Sequence, residues 1–199
     1  MPQQQRFWCP FYPTEDAALK NGLAKYAEKK HCKVLAPLAE NSLSDMTSDE
    51  TLIIHGHSKA DSLVLTESQG AQGKAITIPV AIQWLVYAGL PKTHVKIRVL
   101  GCETRAFAEY LAYELGKLGF DKIVVGGYNH KIFVGSGHRT LVWDPKNDWP
   151  EPNTTNSGNV IWYDSKGKAT TKPGSGPSSI AEDMALINNN SLSKNSTME

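Results

Sequence analysis

The sequence predicts an α/β domain built on a mainly parallel sheet flanked by helices, with an antiparallel extension towards its carboxyl end. Three observations carry this. The apolar, β-branched runs 51–54, 95–100 and 123–127 read as buried strands. Segments of helical periodicity lie between them, and strands alternating with helices argue for parallel pairing through right-handed crossovers. Beyond residue 130 the pattern shortens. Runs at 131–134, 139–143 and 159–163, separated by Gly, Pro and Asn, read as antiparallel strands.

The elements follow in order. Phe7 to Tyr12 is an aromatic first strand, stopped by Pro10 and Pro13. Thr14 can cap a helix, with Glu15 and Asp16 in a first turn where acidic side chains favour the dipole. Leu19, Leu23, Tyr26 and Ala27 recur at helical spacing and define its buried face, and Lys29 and Lys30 suit its end. Residues 33–38 read as a short strand weakened by Pro37, and 40–50 as a polar loop. Ser62 to Leu65 reads as a hairpin strand before a flexible loop at 66–74. A helix opens at Pro79, buries Val80, Trp84, Leu85 and Ala88, and ends at Gly89. The helix after Cys102 uses Phe107, Tyr110, Leu111, Leu115 and Leu118, with Gly119 as its cap. The domain is expected over 1–165, with 166–199 a polar, flexible tail.

Composition narrows the function. A chain of 199 residues, 40% apolar and 21% charged, is one soluble globular domain with a real core. Its 21 Lys and Arg against 20 Asp and Glu leave a net charge of +1, which makes no electrostatic case for nucleic acid. No run is long enough to span a membrane, and the first residues do not read as a signal peptide, so no membrane partner is expected. Three cysteines do not make a disulfide framework. A cytoplasmic protein is expected, or one secreted without a cleaved signal peptide.

Two strand ends carry the chemistry. Val95 to Leu100 stops at Gly101-Cys102, directly before a helix; Thr51 to Ile54 stops at His55-Gly56-His57. Carboxyl ends of strands are where open α/β sheets place their ligands. A thiol facing a helix start and an imidazole is disposed to ionise, and Cys102 can attack a carbonyl while His55 protonates the leaving amine. Backbone N–H groups at Gly56 and Cys102 could hold the oxyanion, and Gly101 leaves room for a substrate backbone. His57 is a second candidate base, on the same side as His55 if the strand runs on through Gly56. His57, Glu103 and Arg105 are polar groups at this edge that could touch substrate, and Asp61 is a further charged group near it. Cys9 and Cys32 lack such a setting and read as structural.

Apolar strand, His-Gly, apolar strand, Gly-Cys, with His55 and Cys102 47 positions apart, resembles the caspase-like (clan CD) cysteine peptidases. Within that group Val99-Leu100-Gly101-Cys102 resembles the self-cleaving protease domains of bacterial RTX toxins, and Cys102-Glu103-Thr104 the Cys-Glu-Thr of CHAT domains. Arg105 stands where a CHAT domain usually has glycine. The matching motifs cover 51–57 and 95–104. The resemblance implies a caspase-like fold, a metal-free Cys102–His55 dyad supported by Gly56, a protein or peptide substrate, and a role such as that of a bacterial effector. RTX-toxin protease domains are switched on by inositol hexakisphosphate beside an antiparallel flap. The corresponding cations here would be Lys131, His138, Arg139, Lys146, Lys166 and Lys168.

Two rival readings stand beside it. His55-Gly56-His57 with Asp61 is similar to a metallohydrolase H-x-H motif that could add Cys102 as a zinc ligand, but positions 58–60 are Ser-Lys-Ala and lack the usual aspartate-histidine continuation. The other is a caspase-like binding module that keeps the fold without turnover. Gly135-Ser136-Gly137-His138 is a turn between strands, because the G-x-S-x-G spacing of a nucleophile elbow is absent.

Overall fold

Five parallel strands form the centre of the sheet, in the order β2 (Cys32–Leu35), β1 (Gln5–Trp8), β3 (Thr51–His55), β6 (Lys96–Leu100) and β7 (Val124–Tyr128), and two antiparallel strands, β10 (Val160–Asp164) and β11 (Ala169–Thr170), extend it beyond β7. The computed structural model describes residues 4–29, 31–35, 38–68, 73–134, 140–142 and 160–170. The helices are α1 (Ala17–Ala27), α2 (Ile78–Tyr87) and α3 (Arg105–Lys117). Two small antiparallel pairs complete the chain, β4 (Val64–Thr66) with β5 (Ala75–Thr77), and β8 (Ile132–Val134) with β9 (Thr140–Val142). No described helix is long and apolar enough to cross a membrane.

Strand alternation sorts the core into two layers. Phe7 stacks on Tyr26 of α1 at 4.3 Å between ring centroids, whereas its neighbour Trp8 stacks on Trp84 of α2 at 5.9 Å. Helices therefore cover both faces, which is why β3 and β7 are buried at every position and read as continuous apolar runs. On the α2 and α3 face, Gly127 lets α3 approach β7 closely. A Cβ there would lie 2.6 Å from the Thr104 carbonyl oxygen and 2.7 Å from Ala108.

The structure corrects several expectations. The helix cap is Asp16, whose Oδ1 accepts from the Leu19 N–H at 2.9 Å; Thr14 Oγ1 instead accepts from the Asp16 N–H. On α1 the buried residues are Leu19, Gly22 and Tyr26, while Ala27 is exposed. On α3, Ala108 and Ala112 are buried, whereas Tyr110 and Leu118 are exposed, because the close approach to β7 favours small side chains. Trp84 likewise lies at the margin of its helix's buried face. The sheet continues past residue 165, since β11 pairs with β10 through Thr170. The remainder of the expected tail, 171–199, and Pro37 lie outside the described residues.

Candidate active site

The sheet order reverses between β1 and β3. From β1 the chain steps outward to β2, and from β3 it steps the other way to β6 and β7. Such a switch point opens a crevice at the carboxyl ends of the strands, the usual ligand site of open α/β sheets. Here the segment after β1 supplies Asp16, the end of β3 supplies His55 and His57, and the end of β6 supplies Cys102. The segment after β7 supplies His130 and Ile132.

β3 and β6 pair in parallel with His55 opposite Leu100. The ladder continues one residue further, since the Gly56 N–H donates to the Leu100 carbonyl at 3.2 Å. Gly56 and Gly101 then pack backbone to backbone; a Cβ at Gly101 would overlap the Gly56 carbonyl oxygen and sit 2.9 Å from Thr104 Cγ2. His57 and Cys102 are the next residue on each chain. Glycines at both positions let the two strand ends come this close, and each is followed by a residue with a chemically active side chain, His57 after β3 and Cys102 after β6.

The two histidines part company here. His55 lies under α1, where a Cβ at Gly22 would fall 2.7 Å from its Nδ1, and its ring is 5.3 Å from that of Phe7. Its Nδ1 is buried without a partner. Burial, with His57 nearby adding to it, pushes the imidazole down to about 3, so it stays neutral. His55 is thus enclosed beneath α1, and its Nδ1 meets no polar group among the described residues. His57, beyond the strand end, is fixed through its backbone by reciprocal N–H···O bonds of 2.9 Å with Thr66, and its Nε2 lies 3.0 Å from Asp16 Oδ1. Burial pushes the Asp16 carboxyl up, but hydrogen bonds from His57 and the Leu19 N–H outweigh it and hold the group below the usual carboxylate range. An ionised carboxylate only accepts, so His57 Nε2 is the donor and carries a proton.

Cys102 is half-buried at a sharp strand-to-helix turn. Glu103, directly after it, has φ 52°, a left-handed conformation that non-glycine residues rarely adopt, and its N–H donates to the His130 carbonyl at 3.1 Å. Thr104 pins the turn from below. Its hydroxyl donates to the carbonyls of Val99 and Gly101 and accepts from the Tyr128 N–H. The Cys102 sulfur is itself held, accepting from the Ile132 N–H at 3.4 Å and lying 3.7 Å from the Ile132 carbonyl as donor.

Other expected site residues fall as follows. The Gly56 N–H is spent on Leu100 and cannot also serve an oxyanion. Arg105 opens α3 and its Nε donates to the Tyr163 hydroxyl at 2.9 Å, tying the helix start to β10. Asp61, also at positive φ, lies in the loop after His57. Asp16 is the residue that sequence reasoning assigned only to the helix dipole; an acidic residue shortly after a strand end is a weak signal for it. Cys9 and Cys32 are free thiols pushed up to about 11, each by burial. Among the described residues, no group of three or more His, Cys, Asp and Glu could hold a metal ion. A cavity of about 370 Å³ lies at the opposite, amino end of the strands, lined by residues that include Arg6, His31, Lys33, Asp45 and Glu50. There Arg6 Nε and Nη2 each donate to Glu50 at 3.1 Å, a forked pair that leaves neither group free for chemistry. Compared with protein-family models and with curated proteins, the chain matches none.

Proposed function

We propose that this chain is a caspase-like cysteine peptidase whose nucleophile is Cys102 and whose base is His57 rather than His55. The observation that carries the proposal is the β3–β6 pairing through His55 and Leu100, after which the chains lead to His57 and Cys102, together with the Asp16 carboxylate on the His57 ring. In the reaction the Cys102 thiolate attacks the substrate carbonyl carbon while His57 holds the proton. The oxyanion is received by the Cys102 N–H in the turn that leads into α3. Collapse of the tetrahedral species breaks the C–N bond, His57 gives its proton to the leaving amine, and water then hydrolyses the thioester. A substrate strand must displace the Ile132 peptide group from the sulfur.

That same contact favours a second reading, a fold that binds peptides without cleaving them, because a thiol tied to its own backbone is not poised to attack. An inositol hexakisphosphate trigger would belong to the first reading. Lys131 is exposed beside Ile132, and Lys166 and Lys168 stand near the β10–β11 turn, while His138, Arg139 and Lys146 lie outside the described residues. Three free cysteines suit a bacterial effector working in a reducing compartment.

The test is site-resolved alkylation with iodoacetamide beside cleavage of a peptide library. Cys102 is expected to react faster than Cys9 and Cys32, His57→Ala to slow it, and His55→Leu to leave it nearly unchanged. Equal labelling of all three thiols, unaffected by His57→Ala, would overturn the peptidase reading.

A further inference from the structure

Helix α1 needs one acceptor at its cap, and Asp16 does more than supply it. Asp16 Oδ1 accepts the Leu19 N–H at 2.9 Å and also the His57 Nε2–H at 3.0 Å. Serine, threonine or asparagine would cap the helix about as well. A charged side chain here has a second consequence, because it sits against an imidazole whose side chain is only 10% exposed. Partial burial weakens solvent screening and strengthens the attraction.

We infer that Asp16 is the positioning residue of the site: through one carboxylate oxygen it ties the start of α1 to His57, fixes the ring with Nε2 protonated, and thereby presents Nδ1 to the Cys102 proton. The inference rests on the Cys102–His57 reading. The carboxylate also offsets the positive charge that forms on His57 when the thiol gives up its proton, favouring the thiolate–imidazolium pair over the neutral pair. The charged or titratable groups against His57 are Asp16 from the cap of α1, at hydrogen-bond distance, and His55 from its own strand, which interacts with it electrostatically. Of these, buried His55 stays neutral and adds no charge, so Asp16 supplies the fixed negative charge in this group.

Three variants separate capping from positioning. Asp16→Asn keeps an acceptor oxygen and the cap but removes the charge. Asp16→Ser keeps a cap but is too short to reach His57. His57→Ala removes the base. The measurement is the rate of Cys102 alkylation by iodoacetamide from about pH 5 to about pH 10, with melting temperature alongside. Relative to wild type, Asp16→Asn should lower the neutral-pH rate about tenfold, and Asp16→Ser should approach His57→Ala, about a hundredfold down. The melting temperature of Asp16→Asn should stay within about 2 °C of wild type, since asparagine caps equally well. Superimposed wild-type and Asp16→Asn profiles, with His57→Ala slow, would overturn the positioning role while leaving the dyad standing. A His57→Ala profile identical to wild type would overturn both.

Discussion

The Cys102 sulfur and the Ile132 peptide group meet twice, once as acceptor at 3.4 Å and once as donor at 3.7 Å. The Ile132 peptide group at the start of β8 therefore lies directly against the sulfur. Under the proposed peptidase reading, whatever lifts Ile132 would uncover the thiol.

Removing the Ile132 N–H should therefore loosen that hold. Ile132 is the first residue of its strand, a place where proline is tolerated. Ile132→Pro is expected to speed Cys102 alkylation several-fold. An unchanged rate would mean that the contact does not limit access to the sulfur.

Cys102→Ala should abolish peptide cleavage while leaving the melting temperature almost unchanged, since it removes one half-buried sulfur. Cys9 and Cys32, both pushed up to about 11 by burial, should stay unlabelled in the folded protein at neutral pH and react once it is unfolded. Labelling of either at the rate of Cys102 in the native state would contradict the upward push on their thiols.

Buried His55 links stability to pH. Its imidazole titrates near 3 in the folded chain against an ordinary value of 6.5, so between those limits the unfolded chain binds more protons. Stability therefore rises with pH through this window and is lost on acidification below about 6.5, by at most about 1.4 kcal/mol per pH unit from this one group. Buried His94, also held below its ordinary value by burial, adds to the slope with the same sign. Denaturant midpoints at a series of pH values should show a shallower slope for His55→Leu than for wild type. Equal slopes would show that His55 does not titrate against the fold.

Two glycines should differ in how their alanine variants fail. Gly22→Ala presses a methyl into the His55 ring, and the expected cost is about 1–3 kcal/mol as the ring shifts. Gly101→Ala meets the Gly56 carbonyl, which is backbone and cannot swing away, so it should separate the ends of β3 and β6. Urea melts combined with Cys102 alkylation are expected to show lost stability in both variants, and lost thiol reactivity chiefly in the second.

These cases mark how far the sequence could be read. The runs at 51–54, 95–100 and 123–127 announced β3, β6 and β7 because burial on both faces leaves an uninterrupted apolar signal. The edge strand β11 carries no such signal, since only two residues of it pair. His55 and His57 are one strand period apart and so share a face, and nothing local tells which of them a helix covers. That is decided by α1, where Gly22 lets the backbone settle onto His55 and leaves the cap residue Asp16 to meet His57. The bond that occupies the Gly56 N–H is hidden for a related reason: the β3–β6 ladder runs one residue past the apolar pattern.

The site is gathered from four places far apart in the chain, Asp16, His57, Cys102 and Ile132, held together by parallel pairings of long sequence separation. No short fragment contains it, and local helix formation cannot assemble it. During synthesis the thiol exists before the segment that restrains it, since Cys102 emerges thirty residues ahead of Ile132. For that interval a nascent chain would carry its sulfur without its cover, and a ribosome stalled between the two would expose a form of the protein that the completed fold conceals.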